Sequence, residues 1–425
     1  MFQSFFNKVK IIVSDRKIMM RVVFIFAIFI LFRALTAIPV PGVNTLALAQ
    51  YLNNNQFFGF LNLFSGGGLS SLSIILLGVG PFITSSIIMQ LLTLMVPKLK
   101  ELYHESGEIG RRQFNQYSRY LTIVLATIQG TALLAVLARQ GIVPGLPTAQ
   151  AFINIAIVVA GSFVTMWLGE LISEFGIGNG VSIIIFAGIV ARIPNDVNQA
   201  LFSYDASQLP IYIGFVIAAV LLVAGIVMVT EAERLVPVTY AKQQARAGYV
   251  VTSTSSHIPL RMNQAGVMPV IFALSILMFP KLIATALAGS VNVKLAAIGS
   301  AISSFLGNQV YYAIIYFLLV FIFTYFYTAV TFDAEAMANN LQKNGAFIPN
   351  VRPGLPTAEF IGNIMTRITF FGGLFLALVA ILPTIFQVVT GNQNFAIGGT
   401  AILIVVSVVI DLIKKLSAQA SMAEY

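Results

Sequence analysis

The sequence lacks cysteine and is poor in histidine, tryptophan and charged residues. The absence of cysteine excludes disulfides, thiol nucleophiles and cysteine metal sites. The two histidines, His104 and His257, both fall in polar loops, so we expect no histidine-held metal. Aspartate, glutamate, lysine and arginine together make up 9% of the residues, against roughly 25% in soluble domains. This scarcity of charge excludes an ordinary soluble protein.

The sequence instead has long apolar runs: 58% of its 425 residues are hydrophobic, and its mean hydropathy is +0.90. The runs are close to the ~20 residues that a helix needs to cross ~30 Å of hydrocarbon. We therefore predict an all-α integral membrane protein with about ten transmembrane spans. They cover residues 22–38, 72–96, 117–138, 151–171, 181–201, 211–230, 265–287, 310–331, 368–386 and 395–413. The fifth span is the least regular, because Pro194 interrupts it.

Lysine and arginine are distributed unevenly between the two sides of these spans. Nineteen of the 24 lie before the first span, after the last span or toward one set of alternate loops. Four lie toward the other set of loops, and Arg33 lies inside the first span. Because positive residues are retained on the cytoplasmic side, we expect both termini in the cytoplasm. The N-terminal segment 1–21 is basic and amphipathic, and no signal-peptide cleavage site follows it.

The spans divide into two sets of five, over residues 22–204 and 205–425. Two sets with an odd number of spans insert with opposite topology, which is typical of inverted-repeat membrane proteins with a path between the halves. The second half contains two long basic loops, 231–264 and 332–366. Long ordered loops usually bind a partner, although a solvated charged surface is the alternative for any single charge there.

The centres of the spans contain almost no ionisable groups. A coupled small-solute transporter usually needs a charge at mid-depth, and an intramembrane hydrolase needs an activated nucleophile or a metal. Neither is evident in the sequence, which counts against both classes. A secondary transporter remains one alternative function, and an insertase or scaffold without a through-pore remains another.

The stretch from Phe57 to Val96 has an unusual order. A short apolar piece, 57–64, stops at Ser65 and three glycines, and the second span follows directly. No charged residue occurs from Pro39 to Ser71. The pattern favours either a half-helix that folds back into the protein on a glycine hinge, or an ordinary outer loop with an interfacial helix.

Six stretches of the chain resemble the SecY family of protein-conducting channels. They read LFRALTAIPVPGV (31–43), LNLFSGGGLSSLSIILLGVGPFITSSIIMQLL (61–92), GNGVSIIIFAGIV (178–190), IPLRMNQAGVMPVIFA (258–273), ANNLQKNGAFIPNVRPGLPTAEFI (338–361) and FAIGGTAILIVVSVVIDL (395–412). The resemblance extends in order over nearly the whole chain. It implies two pseudo-symmetric halves around an hourglass pore, a re-entrant plug within residues 57–70, and a lateral gate formed by spans two, three, seven and eight.

The resemblance also implies roles for individual residues. An apolar pore ring would comprise Ile83, Ile87, Ile185, Ile271 and Ile404. The plug and its hinge would comprise Phe57, Phe60, Leu61, Phe64, Ser65, Gly66, Gly67 and Gly68. A polar cluster across the lateral gate would comprise Gln90, Gln129 and Asn263. Docking residues on the two long loops would comprise Arg352, Lys242, Arg246 and Arg261.

The family's activity is to pass unfolded secretory polypeptides across the bacterial plasma membrane and to release transmembrane segments sideways into lipid. The resemblance therefore implies the SecA motor ATPase, the ribosome, signal sequences, nascent chains and membrane lipids as partners. It further implies a heterotrimer with SecE and SecG, no cofactor and no catalytic residues. One stretch departs from the pattern, because Gln243 and Gln244 follow Lys242 where many relatives have further basic residues. Fewer cations lower the affinity expected for ribosomal RNA.

Overall fold

A computed structural model describes residues 15–41, 61–62, 65–104, 106–142, 147–202, 209–240, 255–289, 292–390 and 394–423. Most of the N-terminal segment 1–21 lies outside these described residues. So do the predicted plug residues Phe57, Phe60 and Phe64, and the predicted docking residues Lys242 and Arg246.

Helices dominate the described residues, and ten of them overlap the ten predicted spans. The helices are α1 (Arg16–Thr36), α2 (Gly80–Met95), α3 (Pro97–His104), α4 (Gly107–Arg139), α5 (Thr148–Phe175), α6 (Gly180–Phe202), α7 (Leu209–Glu231), α8 (Met268–Ala288), α9 (Val293–Gly307), α10 (Gln309–Thr331), α11 (Ala334–Lys343), α12 (Leu355–Thr390) and α13 (Asn394–Ala423). Within the described ranges, six helical stretches are each long and apolar enough to cross a membrane, and the bent pair α2–α3 makes a seventh. The predicted class, a multi-pass helical membrane protein, is confirmed.

The second span begins later than predicted: α2 starts at Gly80, so the expected start at residue 72 is wrong. Residues 65–79 form consecutive turns instead, and we call them the turn segment. Leu72 (φ 44°) and Gly78 (φ 53°) have left-handed backbone, which a right-handed helix cannot include. Pro81 then lies in the first turn of α2, where proline is well tolerated. The expectation that the span directly follows the glycine hinge is wrong for the same reason.

Two further helical features differ from the sequence interpretation. Helix α9 was not predicted; it packs against α8 and α10, and its 15 residues are too few to span a bilayer. Asn292 caps α9 by accepting a hydrogen bond from Lys294 N at 3.0 Å. Helix α6, in contrast, continues past Pro194 to Phe202 without a break.

The two long loops are joined by a three-stranded sheet that the sequence did not predict. Strand β1 (Glu233–Tyr240) pairs antiparallel with β2 (Ser255–Arg261) of the same loop. The last two residues of β1 pair with β3 (Ala346–Phe347) of the other loop. Apolar residues of all three strands pack together with residues of α12. The described parts of both loops therefore form one body supported by α12.

The helices form two groups that meet along two seams. In the N-terminal group, α1–α6, helix α4 packs against α2 and α5, and α5 packs against α1 and α6. In the C-terminal group, α7–α13, helix α12 packs against α10 and α13, and α7 packs against α13. Between the groups, α8 packs against α2 and α4, which we call the α8 seam, and α6 packs against α13. The main apolar core contains buried residues from both groups.

Candidate functional site

Five isoleucines from four helices lie where the two groups meet. Ile83 and Ile87 belong to α2, Ile185 to α6, Ile271 to α8 and Ile404 to α13. None of them is more than 3% exposed, and all belong to one cluster of buried apolar side chains. The structure thus brings the residues of the predicted ring, from both groups, into a single apolar core.

A cavity of about 210 Å³ lies beside these isoleucines. Ser182, Met268 and Val408 line it, and each is about one helical turn away from a ring isoleucine on its own helix. The cavity is large enough to hold water. It therefore ends about one helical turn from the isoleucine cluster.

The mouth of the cavity is charged. Lys414 Nζ lies 3.0 Å from Glu231 Oε1 and 3.3 Å from the carbonyl oxygen of Thr230, which ties α13 to the end of α7. Lys415 Nζ pairs with Asp411 Oδ2 at 2.7 Å, one turn earlier in α13. Partly exposed ion pairs at one end and apolar side chains at the other give the cavity a polar entrance and an apolar floor.

The turn segment lies on the opposite side of the isoleucines from the cavity. Helix α6 gives the order: Ser182 lines the cavity, Ile185 belongs to the ring, and Gly188 contacts Gly66 of the turn segment. Leu69, Leu76 and several neighbours in the segment are fully buried. The isoleucine cluster is therefore covered on one side by irregular backbone.

Two hinge glycines allow this close packing. Gly66 and Gly67 have left-handed backbone, with φ of 62° and 91°, which glycine adopts without strain. A Cβ built on Gly66 would overlap the ring of Phe32 in α1, and a Cβ built on Gly188 would overlap the backbone of Gly66. Gly66 therefore packs closely between α1 and α6.

Several polar groups around the turn segment are hydrogen-bonded within the protein, although Ser73 Oγ is, among the described residues, buried without a partner. Asn62 Oδ1 accepts from Ser70 N at 3.1 Å, and Ser162 Oγ of α5 donates to the carbonyl oxygen of Gly78 at 2.9 Å. Non-helical backbone at membrane depth needs internal partners of this kind. Among the predicted plug residues outside the hinge, Leu61 is described, and it is buried in the apolar cluster of the turn segment.

Two of the three predicted gate residues have unsatisfied polar atoms. Among the described residues, Gln90 Oε1 and Asn263 Oδ1 are buried without a hydrogen-bond partner. Gln90 lies near the end of α2 and Asn263 just before α8, on the two sides of the α8 seam. Gln129 lies at a different level, because its neighbour Gly130 packs near Leu77, at the other end of the α2–α4 pair. The structure does not bring Gln129 to Gln90.

The two described docking residues, Arg261 and Arg352, are both exposed. Arg261 is the last residue of β2, and Arg352 lies in the turn between β3 and α12. The carbonyl oxygen of Arg352 accepts from Thr357 Oγ1 at 2.7 Å, and nearby Asn350 and Gly354 have left-handed backbone. Arg352 therefore projects from a structured turn on the body that joins the two loops.

The sequence interpretation missed several contacts around the site. Arg119 Nε and Nη2 of α4 lie 3.0 and 2.8 Å from the two carboxylate oxygens of Glu170 in α5, a bidentate pair. The signal for this pair was opposite charges set inside two neighbouring spans. The role of Gly188 carries no signal in the sequence, since it depends on a contact with the distant Gly66. The bond of Asn62 to Ser70 is local, eight residues along the chain.

The fold and the site together are those of a helical membrane channel: two helix groups that meet at a buried isoleucine cluster, a polar-mouthed cavity on one side and buried irregular backbone on the other. In the part of the chain that the structure describes, no group of three or more His, Cys, Asp or Glu residues could hold a metal.

Comparison with known proteins identifies the family. The matching family model is SecY, over residues 73–413. The chain is 37% identical to the protein translocase subunit SecY of Mycobacterium leprae, over 100% of this chain and 99% of that protein. It is 41% identical to the corresponding subunit of Streptomyces galbus, over 95% of each chain, and 39% identical to that of Pseudomonas aeruginosa, over 95% of this chain and 91% of that protein. The chain belongs to the SecY family.

Solved structures share the fold. The alignment with the structure of a protein-conducting channel covers 95% of this chain and 92% of that chain, with a TM-score of 0.62 and 18% sequence identity. The alignment with Sec61 in a canine ribosome–channel complex covers 95% of this chain and 92% of that chain, with a TM-score of 0.59 and 17% sequence identity. At such identities the likeness bears on the fold alone.

Proposed function

We propose that this chain is the pore-forming subunit of a protein translocase, a channel that passes unfolded polypeptides across a membrane and releases transmembrane segments sideways into lipid. The observation that carries the proposal is the constriction between the cavity and the turn segment, built from isoleucines of both helix groups. Membership of the SecY family supports the same function.

The constriction suits a channel that must stay closed to ions. Ile83, Ile185 and Ile404 offer an ion nothing in place of its hydration shell, so a narrow apolar waist resists wetting. Isoleucine side chains are also able to move aside for a passing chain without binding it specifically. The turn segment and the plug residues before it are the second closure in this proposal, and they leave the path when a polypeptide enters.

Lateral release uses the α8 seam. Gln90 and Asn263 lie on its two sides with buried, unpaired carbonyl oxygens, so hydrogen bonding holds the seam weakly there. A signal segment that inserts between α8 and α2 gains about 0.8 kcal/mol for each CH₂ group it buries. A weakly held seam is one that such a segment is able to open.

We propose the orientation that the charge distribution indicates, with both termini in the cytoplasm of a bacterial cell and the cavity opening toward the cytoplasm. Lys414 and Lys415 then lie at the cytoplasmic mouth. The turn segment faces the outer side, and the halves divide at residues 22–204 and 205–425. The division is supported by the two seams between α1–α6 and α7–α13.

Energy for transport comes from partners in this proposal. The sheet joins the two long loops into one surface with exposed Arg261 and Arg352, which suits docking of the SecA motor or of the ribosome. SecE and SecG complete the heterotrimer. The chain itself has no enzymatic activity, and a small-solute transporter is disfavoured because the centres of the spans contain almost no ionisable groups.

The function is tested in proteoliposomes that contain the heterotrimer, with SecA, ATP and a secretory precursor. We expect the precursor to become protected from added protease only when all components are present. Uptake of a small solute without any partner, together with no precursor export, would overturn the proposal.

A second measurement separates a through-pore from a scaffold. Ile404→Asn is expected to increase ion leak and to relax the requirement for an intact signal sequence, because a polar waist wets more readily. Ile404→Leu, of similar volume and polarity, is the matched control. Unchanged leak and unchanged stringency in the asparagine variant would favour a scaffold without a pore.

A further inference from the structure

We propose that Arg139 is a positioning residue that fastens the outer end of the α8 seam and so sets how strong a signal sequence must be. Arg139 is the last residue of α4, and its Nη1 donates to the carbonyl oxygen of Ala286 in the last turn of α8 at 2.6 Å. The contact joins residues 147 apart in the chain, one in each helix group. The inference rests on the proposed function, because it assigns a role within the lateral gate.

The end of α8 is well suited to receive a cation. The last four carbonyl groups of a helix have no partner within the helix, and the helix dipole favours positive charge there. Arg139 therefore satisfies a carbonyl of α8 and places its charge at the favourable end. A guanidinium also keeps its charge at any physiological pH.

Gly289 makes room for this contact. It follows α8 directly, and a Cβ built on it would overlap the Arg139 guanidinium. Its backbone φ is −96°, which any residue adopts, so this glycine is not required by the turn itself. Space for the arginine is the feature that distinguishes glycine from alanine here.

The contact lies at the edge of an apolar part of the seam. Leu133, Val136 and Leu137 of α4 are buried in the same cluster as Leu282 of α8. Arg139 itself is exposed, so water replaces its hydrogen bond readily once the helices part. Arg139 thus acts as a releasable clasp whose hydrogen bond is lost when the outer seam opens.

The test compares Arg139→Gln with Gly289→Ala in the proteoliposome export assay. Glutamine removes the charge, and alanine displaces the guanidinium while leaving Arg139 in the chain. We expect each to raise export of a precursor with a defective signal sequence by about fivefold, the loss expected for one hydrogen bond. Export of the precursor with an intact signal sequence is expected to stay within about twofold.

A double variant identifies the mechanism. If Gly289→Ala acts by displacing the guanidinium, it has no further effect in an Arg139→Gln background. Arg139→Lys retains a cation and a donor, and is expected to restore part of the stringency. Lys294→Ala, which removes another exposed cation proposed to lie on the outer side, is the matched control and is expected to behave as the parent protein. Additive single effects, or an equal effect of Lys294→Ala, would overturn the proposal.

A distance measurement tests the clasp without any transport. The chain has no cysteine, so spin labels attach only at introduced sites, such as Gln140→Cys beyond α4 and Val293→Cys at the start of α9, which packs on α8. We expect the label-to-label distance distribution to broaden toward longer distances in both Arg139→Gln and Gly289→Ala. An unchanged distance distribution in these variants would overturn the clasp, even if export is normal. A broadened distribution together with failure of all precursor export would instead overturn the channel function and leave the clasp intact.

Discussion

At the residue scale, the packing of the turn segment against α6 depends on a pair of glycines from distant segments. Gly66 of the turn segment and Gly188 of α6 touch backbone to backbone. Gly188→Ala would push the turn segment away from α6, because the overlapping atoms belong to backbone and cannot rotate aside. Overpacking of this kind costs about 1–3 kcal/mol, so we expect the leaky population to rise by about tenfold. Ion flux through the resting channel measures it.

The control for this prediction is Gly362→Ala in α12. A Cβ built on Gly362 meets no atom within 4 Å, and alanine favours a helix over glycine. We expect that variant to conduct as little as the parent protein. Equal leak from both alanine variants would show that the Gly66–Gly188 contact does not seal the channel.

A second residue-scale prediction concerns the bidentate pair between α4 and α5. Glu170→Gln leaves the Arg119 guanidinium, which is only partly exposed, without its carboxylate. Hydrogen bonds to charged groups contribute about 1.5–3 kcal/mol, so the unfolding midpoint of the purified protein should fall by roughly 2–3 °C. Glu108→Gln breaks the pair with Arg112, in which both side chains are at least 77% exposed, and should shift the midpoint by less than about 1 °C. Equal shifts would contradict the argument.

Residue roles were predictable from the sequence only where a pattern marks them. Ile83 and Ile87 share a helix face because they are four residues apart, and the structure buries both in the core. No pattern in the sequence predicts the contacts of Gly188 and Arg139. A glycine carries no side chain to form a pattern, and the partner of Arg139 is a backbone carbonyl, which every residue has.

At the scale of elements, the existence of the helices followed from apolar run length, and their ends followed less well. The second span was predicted eight residues too early, because the turn segment is as apolar as the helix that follows it. Apolarity here reflects burial inside the protein and not helix formation. The sheet between the loops was unpredictable for another reason: β3 has only two residues, and its partner strand is about a hundred residues away.

The sheet leads to a prediction about docking. Arg352→Glu reverses an exposed charge on the turn after β3 without altering the sheet, so we expect a folded protein whose SecA-driven export falls by roughly tenfold or more. Lys343→Glu reverses another exposed cation, at the end of α11 in the same loop. It tests whether position or net charge matters, and should cause a much smaller loss. Normal export by Arg352→Glu would remove this arginine from the proposed docking surface.

At the scale of the whole molecule, the two helix groups must separate at the constriction for a polypeptide to pass. Ser182 Oγ of α6 and Met268 Sδ of α8 lie 3.8 Å apart across the groups, on the cavity side of the isoleucines. Since the chain has no cysteine, Ser182→Cys with Met268→Cys gives one defined thiol pair.

A short, reducible thiol cross-linker at this pair should block export almost completely, because it fixes α6 to α8 directly above the constriction. Reduction should restore export, which separates the cross-link from any effect of the substitutions. The matched control is Glu108→Cys with Arg112→Cys, a pair one turn apart on the exposed face of α4, where cross-linking joins no two helices and should leave export unchanged. Full export through the cross-linked Ser182–Met268 pair would mean that polypeptides do not pass between the two groups, and would remove the isoleucine constriction from the path.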